Sequence, residues 1–201
     1  MSTKSTFNPQ DHYFHEAKKF DYVARSAFKL QEIDEKFKIF NHHSKTIIDI
    51  WCSPGSWIQY AHRVTWGKAK IVGLDLKPSV PNLENVHTYV CDATNIEQWT
   101  KIFEDNNIGK ADVIMSDLAP NTTWLKDIDA LKCAGVLEDT LWIYRSYLKH
   151  DGKFAIKIFM GPGFEEFVKE CKDTRWATNI RVFKPKSCRS ISKETYVVKW
   201  K

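Results

Sequence analysis

Residues 46–64, TIIDIWCSPGSWIQYAHRV, change character twice within a short span. TIIDIW is an apolar, β-branched run, short enough for a strand buried on both faces. Proline and glycine in SPGSW break it, and WIQYAHRV then reads as a helix. A buried strand that feeds a helix through a small-residue turn is the unit of a doubly wound α/β sheet, and the rest of the chain repeats it. AKIVGLDL (69–76), VHTYVCDA (86–93) and ADVIMSDLAP (111–120) read as further strands, with a helix near IEQWTKIFED (96–105). IDALKCAGVLEDTLWIYRSYL (128–148) is a long amphipathic helix and KFAIKIFM (153–160) a fifth strand. GFEEFVKECK (163–172) is a helix, and NIRVFK (179–184) and ETYVVKW (194–200) close the chain as two more strands. Upstream, residues 9–38 read as helical, with Phe28, Ile33 and Phe37 on one face. The expectation is an α/β fold whose mainly parallel seven-stranded sheet carries helices on both faces. It would form one domain over residues 1–201, with the segment 9–38 packed on it.

Length and composition agree with one sizeable core: 201 residues, 43% hydrophobic and 13% aromatic. No apolar stretch reaches the length of a membrane span, and MSTKSTFNPQ lacks the apolar segment of a secretory signal, so neither a membrane partner nor export is expected. The first 24 residues contain no Arg, unlike a mitochondrial presequence. A cytoplasmic location is expected, with mitochondrial and nuclear ones left open, and a monomer. The five cysteines are odd in number and widely spaced with no CxxC pair, which indicates neither a disulfide framework nor a zinc site. Residues 179–201 hold seven Lys or Arg against one acid, Glu194. That end of the chain is either a solvated surface or a patch for phosphate backbones.

In doubly wound sheets, ligands sit outside the carboxyl ends of the strands where strand order reverses. Four strands here end in chemistry: the first in Ser53-Pro54-Gly55-Ser56, the second at Asp75, the third at Asp92 and the fourth at Asp117. Each aspartate alone would be read as a turn or helix cap. Together, around a turn that opens a helix, they describe a nucleoside crevice in which an acid accepts from ribose hydroxyls. The turn has a single glycine and lacks the G-x-G-x-x-G spacing that a pyrophosphate needs, which disfavours a dinucleotide. S-adenosylmethionine, with an adenosine, a cationic sulfonium and no phosphate, suits acidic strand ends.

FAIKIFM (154–160) raises a separate question, because Lys157 is the one charge in an otherwise apolar run and a buried ammonium is costly unless paired. The fifth strand follows the fourth, so Lys157 can approach Asp117. Lys29, in the N-terminal helix, and Glu194, at the start of the last strand, are also embedded among apolar residues. If the four converge, two cations and two anions alternate and each desolvation is offset. The other reading is that Lys157 snorkels from an edge strand while Lys29 and Glu194 lie on exposed faces.

ARSAFKL (24–30), SPGSW (53–57), MSDLAPN (115–121), FAIKIFMGPGF (154–164) and SCRSISKETYVV (187–198) stand in family order, and the chain from about Asp11 to Val198 resembles the FtsJ/RrmJ-type RNA ribose 2′-O-methyltransferases. The resemblance implies a Rossmann-like class I methyltransferase fold, S-adenosylmethionine as donor and no metal. It implies a catalytic tetrad of Lys29, Asp117, Lys157 and Glu194, and donor contacts at Gly55, Trp57, Asp75, Asp92 and Asp117. The implied partner is RNA, ribosomal RNA of the large subunit first and the tRNA anticodon loop or an mRNA cap as alternatives. Arg25, Lys184, Lys186 and Arg189 are candidate phosphate contacts, and Phe28 or Tyr22 are candidates to stack on an unpaired base. The family pattern Asp-Leu-Gly-x-x-Pro-Gly-Gly-Trp is replaced by Asp49-Ile50-Trp51-Cys52-Ser53-Pro54-Gly55-Ser56-Trp57. Trp51 at the first glycine raises a second class of function, an RNA-binding or assembly factor that has lost catalysis.

Overall fold

The computed structural model describes residues 11–79, 81–118, 120, 123, 125–173 and 179–201. Among them the strands are β1 (Thr46–Ile50), β2 (Lys70–Asp75), β3 (Val86–Val90), β4 (Ala111–Ser116), β5 (Leu148–Phe159), β6 (Ile180–Phe183) and β7 (Glu194–Lys199). They form one seven-stranded sheet in the order β3-β2-β1-β4-β5-β7-β6. The first five run parallel, while β7 lies antiparallel between β5 and β6, so the sheet is mixed, as a mainly parallel sheet allows. Strand order reverses between β1 and β4, and the crevice expected of this topology opens there.

The helices are α1 (His12–Lys19), α2 (Ala27–Phe37), α3 (Ser56–Val64), α4 (Ile96–Asp105), α5 (Lys126–Tyr147) and α6 (Phe164–Asp173). Side chains alternate between the two faces of a strand. One face, with Ile47, Val113, Met115, Ala155, Tyr196 and Val198, packs on Leu30, Ile33 and Phe37 of α2 and Trp57, Ile58 and Ala61 of α3. The other, with Ile48, Ile114, Phe154, Ile156 and Val197, packs on α4, α5 and α6 around Trp99, Phe103, Leu137, Leu141 and Phe167. Asn95 starts α4 by accepting from the Gln98 amide at 3.0 Å. Its core face stacks Trp99 on Phe103 at 4.7 Å.

Two sequence expectations change in detail. The helical stretch 9–38 is two helices interrupted at residues 20–26, where Asp21 takes a left-handed φ of 56°, and residues 9 and 10 lie outside the described part. On α2 the buried stripe is Ala27, Leu30, Ile33 and Phe37. Phe28 lies off that stripe, half-buried against Tyr13 and Tyr22. Positions 30, 33 and 37 follow the helical period and position 28 does not.

FMGPGF acquires a packing role. Gly161 and Gly163 have φ of 151° and 84°, and a Cβ at either would lie 2.8 and 2.7 Å from the Cβ atoms of Ala130 and Ala134 on α5. The turn after β5 therefore crosses α5 nearly backbone to side-chain stub, which fixes the end of the strand that carries Lys157. Gly163→Ala is expected to lower stability by about 1–3 kcal/mol through left-handed strain and overpacking. Urea unfolding measures it, and adding Ala134→Gly should restore only the packing share. A variant as stable as the parent would refute the close crossing.

Candidate active site

At the carboxyl ends of β1, β4 and β5 lies a cleft of about 330 Å³. Its walls come from Asp49 and the turn Trp51–Pro54, from Ser56 and Trp57 at the start of α3, from Ser26 and Lys29 of the α2 region, and from Asp117, Lys157, Phe159 and Glu194. The α2 and α3 starts are tied together at this point: the Ser26 and Ser56 hydroxyls meet at 2.7 Å, and the Trp57 indole N–H donates to the Ser26 carbonyl at 2.9 Å. Ser56, which stands where the family pattern has the second glycine of its Pro-Gly-Gly turn, thus holds the helix that delivers Lys29.

The four ionisable residues meet in this cleft as two linked pairs. Lys157, 4% exposed, places Nζ 2.8 Å from the Asp117 carbonyl oxygen and 3.1 Å from Asp117 Oδ1. Lys29 Nζ stands 2.5 Å from Glu194 Oε1. Tyr196, which sequence reading did not single out, joins them. Its hydroxyl lies 3.1 Å from Asp117 Oδ1 and also hydrogen-bonds Glu194 Oε1. Register explains the meeting: antiparallel β5 and β7 set Lys157 opposite Tyr196 and Phe159 opposite Glu194, and residues two apart share a face. The signal available in the sequence was that spacing, Glu194-x-Tyr196.

Two members of the network are held in their charged forms, Asp117 and Lys29. Burial pushes the Asp117 carboxyl up, but the ammonium groups of Lys157 and Lys29 outweigh it and hold the group below the usual carboxylate range. Burial draws the Lys29 ammonium down, and the carboxylates of Asp117 and Glu194 outweigh that and hold it above its usual value. Burial, with Asp117 and Glu194, pushes the Tyr196 phenol well up, so it keeps its one proton and donates it to one of the two acids at a time.

Asp49 faces the same cleft, is 1% exposed, and neither of its carboxyl oxygens meets a hydrogen-bond partner. Burial, with Asp117 and Asp75 nearby, pushes its carboxyl well above the usual range. Sequence reading passed over it as part of a buried strand. Trp51 takes φ 61°, the left-handed region in which glycine is free and a bulky residue is strained. Its amide donates to Leu74 O at 2.7 Å, while its half-buried indole packs on the core and forms part of the cleft wall. The loop accepts the strain rather than turning the indole away.

The other proposed donor contacts are placed differently. Asp117 and Trp57 line the cleft, whereas Gly55, Asp75 and Asp92 do not. Gly55, at φ 111°, has the Pro81 ring and the Ser79 hydroxyl where a Cβ would be, so its bare backbone serves the loop after β2. Asp75 accepts from the Ser53 amide at 2.9 Å and the Lys77 amide at 2.8 Å. Asp92 accepts from the Thr94 amide at 2.9 Å and the Thr94 hydroxyl at 2.8 Å. Each carboxylate retains acceptor capacity beyond these bonds.

Of the candidate phosphate contacts, Arg25 and Arg189 share a second cleft of about 260 Å³ with Ala24, Ser26, Lys29, Ser192 and Glu194. It adjoins the first through Ser26, Lys29 and Glu194. Lys184 is exposed, its ammonium 2.6 Å from the Ser192 carbonyl, and Lys186 borders an aromatic groove with Tyr13, Phe28 and Phe183. Tyr22 is core, 8% exposed; Phe28 opens onto that groove.

The FtsJ-like methyltransferase family model matches residues 22–201. A protein named ribosomal RNA large subunit methyltransferase E from Desulfatibacillum aliphaticivorans is 41% identical over 95% of this chain and 90% of its own. The protein of the same name from Bdellovibrio bacteriovorus is 37% identical over 96% and 97%. A solved ribosomal RNA methyltransferase from Plasmodium falciparum superposes with a TM-score of 0.77 at 27% identity, over 89% of this chain and 97% of that one.

The raised Asp49 group sets a pH test with a definite sign. The folded chain retains a proton there that the unfolded chain releases at the ordinary carboxylate value, so this group makes stability fall as pH rises past that value. Asp49→Asn is expected to raise the melting temperature of the donor-free protein at neutral pH and to change it little below pH about 4. An equal shift at both pH values would refute the assignment.

Proposed function

The chain belongs to the FtsJ-like methyltransferase family, and on that premise we propose that it transfers a methyl group from S-adenosylmethionine to a ribose 2′-hydroxyl of large-subunit ribosomal RNA. The observation that carries the reading is Lys157, buried at a strand end with its ammonium held by two oxygens of Asp117 beside the Lys29–Glu194 pair. The RNA class follows the names of the relatives, and among the described residues no feature of the site favours tRNA or a cap.

The residues present fit the donor. S-adenosylmethionine, when bound, supplies a methyl group already activated by a sulfonium. Asp49, with two unsatisfied oxygens facing the cleft, offers an acceptor to a cationic ligand group, and Asp117 and Trp57 flank it. Gly55, Asp75 and Asp92 would hold the remainder outside the tetrad cleft.

What the chain does for the reaction is positioning and proton handling. An amine nitrogen has four tetrahedral directions, one taken by its stem. Two more of Lys157 point to the carbonyl oxygen and Oδ1 of Asp117, which leaves one for the target hydroxyl. A neutral amine presents a lone pair there and accepts the 2′-proton; an ammonium presents N–H and steadies the developing alkoxide. Asp117 fixes Lys157, while Lys29 and Glu194, tied through Tyr196, hold the ribose side of the cleft. Alignment of this kind contributes roughly 7–11 kcal/mol in favourable cases.

Lys157→Ala is expected to reduce methyl transfer to ribosomal RNA by at least about 10²-fold while leaving donor affinity, read by calorimetry, within a few-fold of the parent. An active variant would end the assignment. A parent protein that binds no S-adenosylmethionine even at millimolar concentration would instead favour the non-catalytic reading raised by Trp51.

A further inference from the structure

Trp51 stands in the wall of the tetrad cleft at a conformational cost. Its φ of 61° is a strained conformation for a bulky residue, and the end of β2 fixes it there. The amides of Trp51 and Cys52 donate to Leu74 O at 2.7 and 3.2 Å, and the Ser53 amide donates to Asp75 Oδ2 at 2.9 Å. With these successive amides bound, the turn has no slack to carry the indole out of the cleft, and a ligand that enters must meet it.

The aromatic walls of this cleft, Trp51, Trp57 and Phe159, differ in what already faces them. Lys157 Nζ lies 6.0 Å from the Phe159 ring centroid, and the Trp57 ring packs on Tyr196 at 5.8 Å. Among the described residues, no cation and no second ring pairs with the Trp51 indole. Asp49 lines the same cleft with neither carboxyl oxygen bonded. An unused acceptor and an unused π system in one wall are the combination that favours a cation.

We propose that the Trp51 indole receives the positively charged sulfur of the methyl donor, so that the cleft discriminates the sulfonium from the neutral thioether left after transfer. The inference rests on S-adenosylmethionine being the donor. A methyl group aimed at a hydroxyl beside Lys157 brings its sulfonium into the cleft that Trp51 lines. Asp117 cannot supply the attraction alone, because Lys157 and Lys29 already draw on its carboxylate. A ring face attracts a cation without itself carrying a charge that has to be desolvated.

Calorimetry at fixed pH and salt tests this with S-adenosylmethionine and S-adenosylhomocysteine, which share their adenosine and amino-acid parts and differ in the charge on sulfur. The readout is the ratio of the two affinities, which a loss of shape alone would not move. Trp51→Leu keeps a bulky side chain on the left-handed backbone and removes the π system. It is expected to bind S-adenosylmethionine roughly three- to tenfold less tightly than the parent, and S-adenosylhomocysteine within about twofold of it. Trp51→Phe keeps a weaker π face and is expected to give an intermediate ratio; it carries the test should the leucine variant not fold. A parental ratio in the folded variants, whether both ligands weaken together or neither does, overturns the proposal. Tighter binding of S-adenosylmethionine by Trp51→Leu, the mark of an indole that merely obstructs, also overturns it. In those cases the parent still binds the donor and the donor reading stands, whereas a parent that binds neither ligand overturns both.

Discussion

The structure turns on an ammonium group withdrawn from water at the end of β5. Lys157 is 4% exposed, and nothing in the apolar run around it can balance its charge. The partner comes from the neighbouring strand, through both the backbone and the side chain of Asp117, and that carboxylate in turn leans on Lys29, Tyr196 and Glu194. Each member offsets the desolvation of the next. A pair of this kind adds little net stability over an apolar core, but loss of one partner strands the other, so the geometry is strongly specified. Rigidity of that sort is what a reaction governed by alignment requires.

Much of the surrounding architecture serves that specification. Parallel β1 and β4 diverge at the switch point and open the cleft; antiparallel β7 slides Glu194 and Tyr196 into register beside Lys157. The Ser26–Ser56 and Trp57–Ser26 bonds lock α2 to α3, so that Lys29 enters from above the sheet. Glycines at 161 and 163 let the chain leave β5 tightly against α5. Trp51 is the position where this economy is broken, a strained indole where a bare backbone is the family pattern, and it forms part of the cleft wall.

The contrast between two lysines shows why the site was only partly legible. FAIKIFM and YVVKW each place a lysine inside an apolar strand, and both side chains are buried. Lys199 points to the far end of the sheet, where the carbonyls of His150 and Gly152 accept from it at 2.9 and 2.6 Å. Lys157 points to Asp117. Local pattern is the same in the two cases; the adjacency of the fourth and fifth strands and resemblance to a known motif order singled out Lys157 beforehand. Asp49 and Tyr196 were invisible for the same reason, one reading as a polar interruption of a strand and the other as a core aromatic.

From sequence alone came the alternation of strands and helices, their approximate limits and the crevice at strand ends, because periodicity and turn chemistry are local properties of the chain, and the assignment of the four charged residues came through resemblance to a known motif order. Tertiary structure decided the rest: which acid each lysine meets, that a phenol lies between the two carboxylates, and that Asp49 has no partner of its own. These depend on strand order and register, which bring together residues up to 165 positions apart, and no local pattern encodes a distance of that kind.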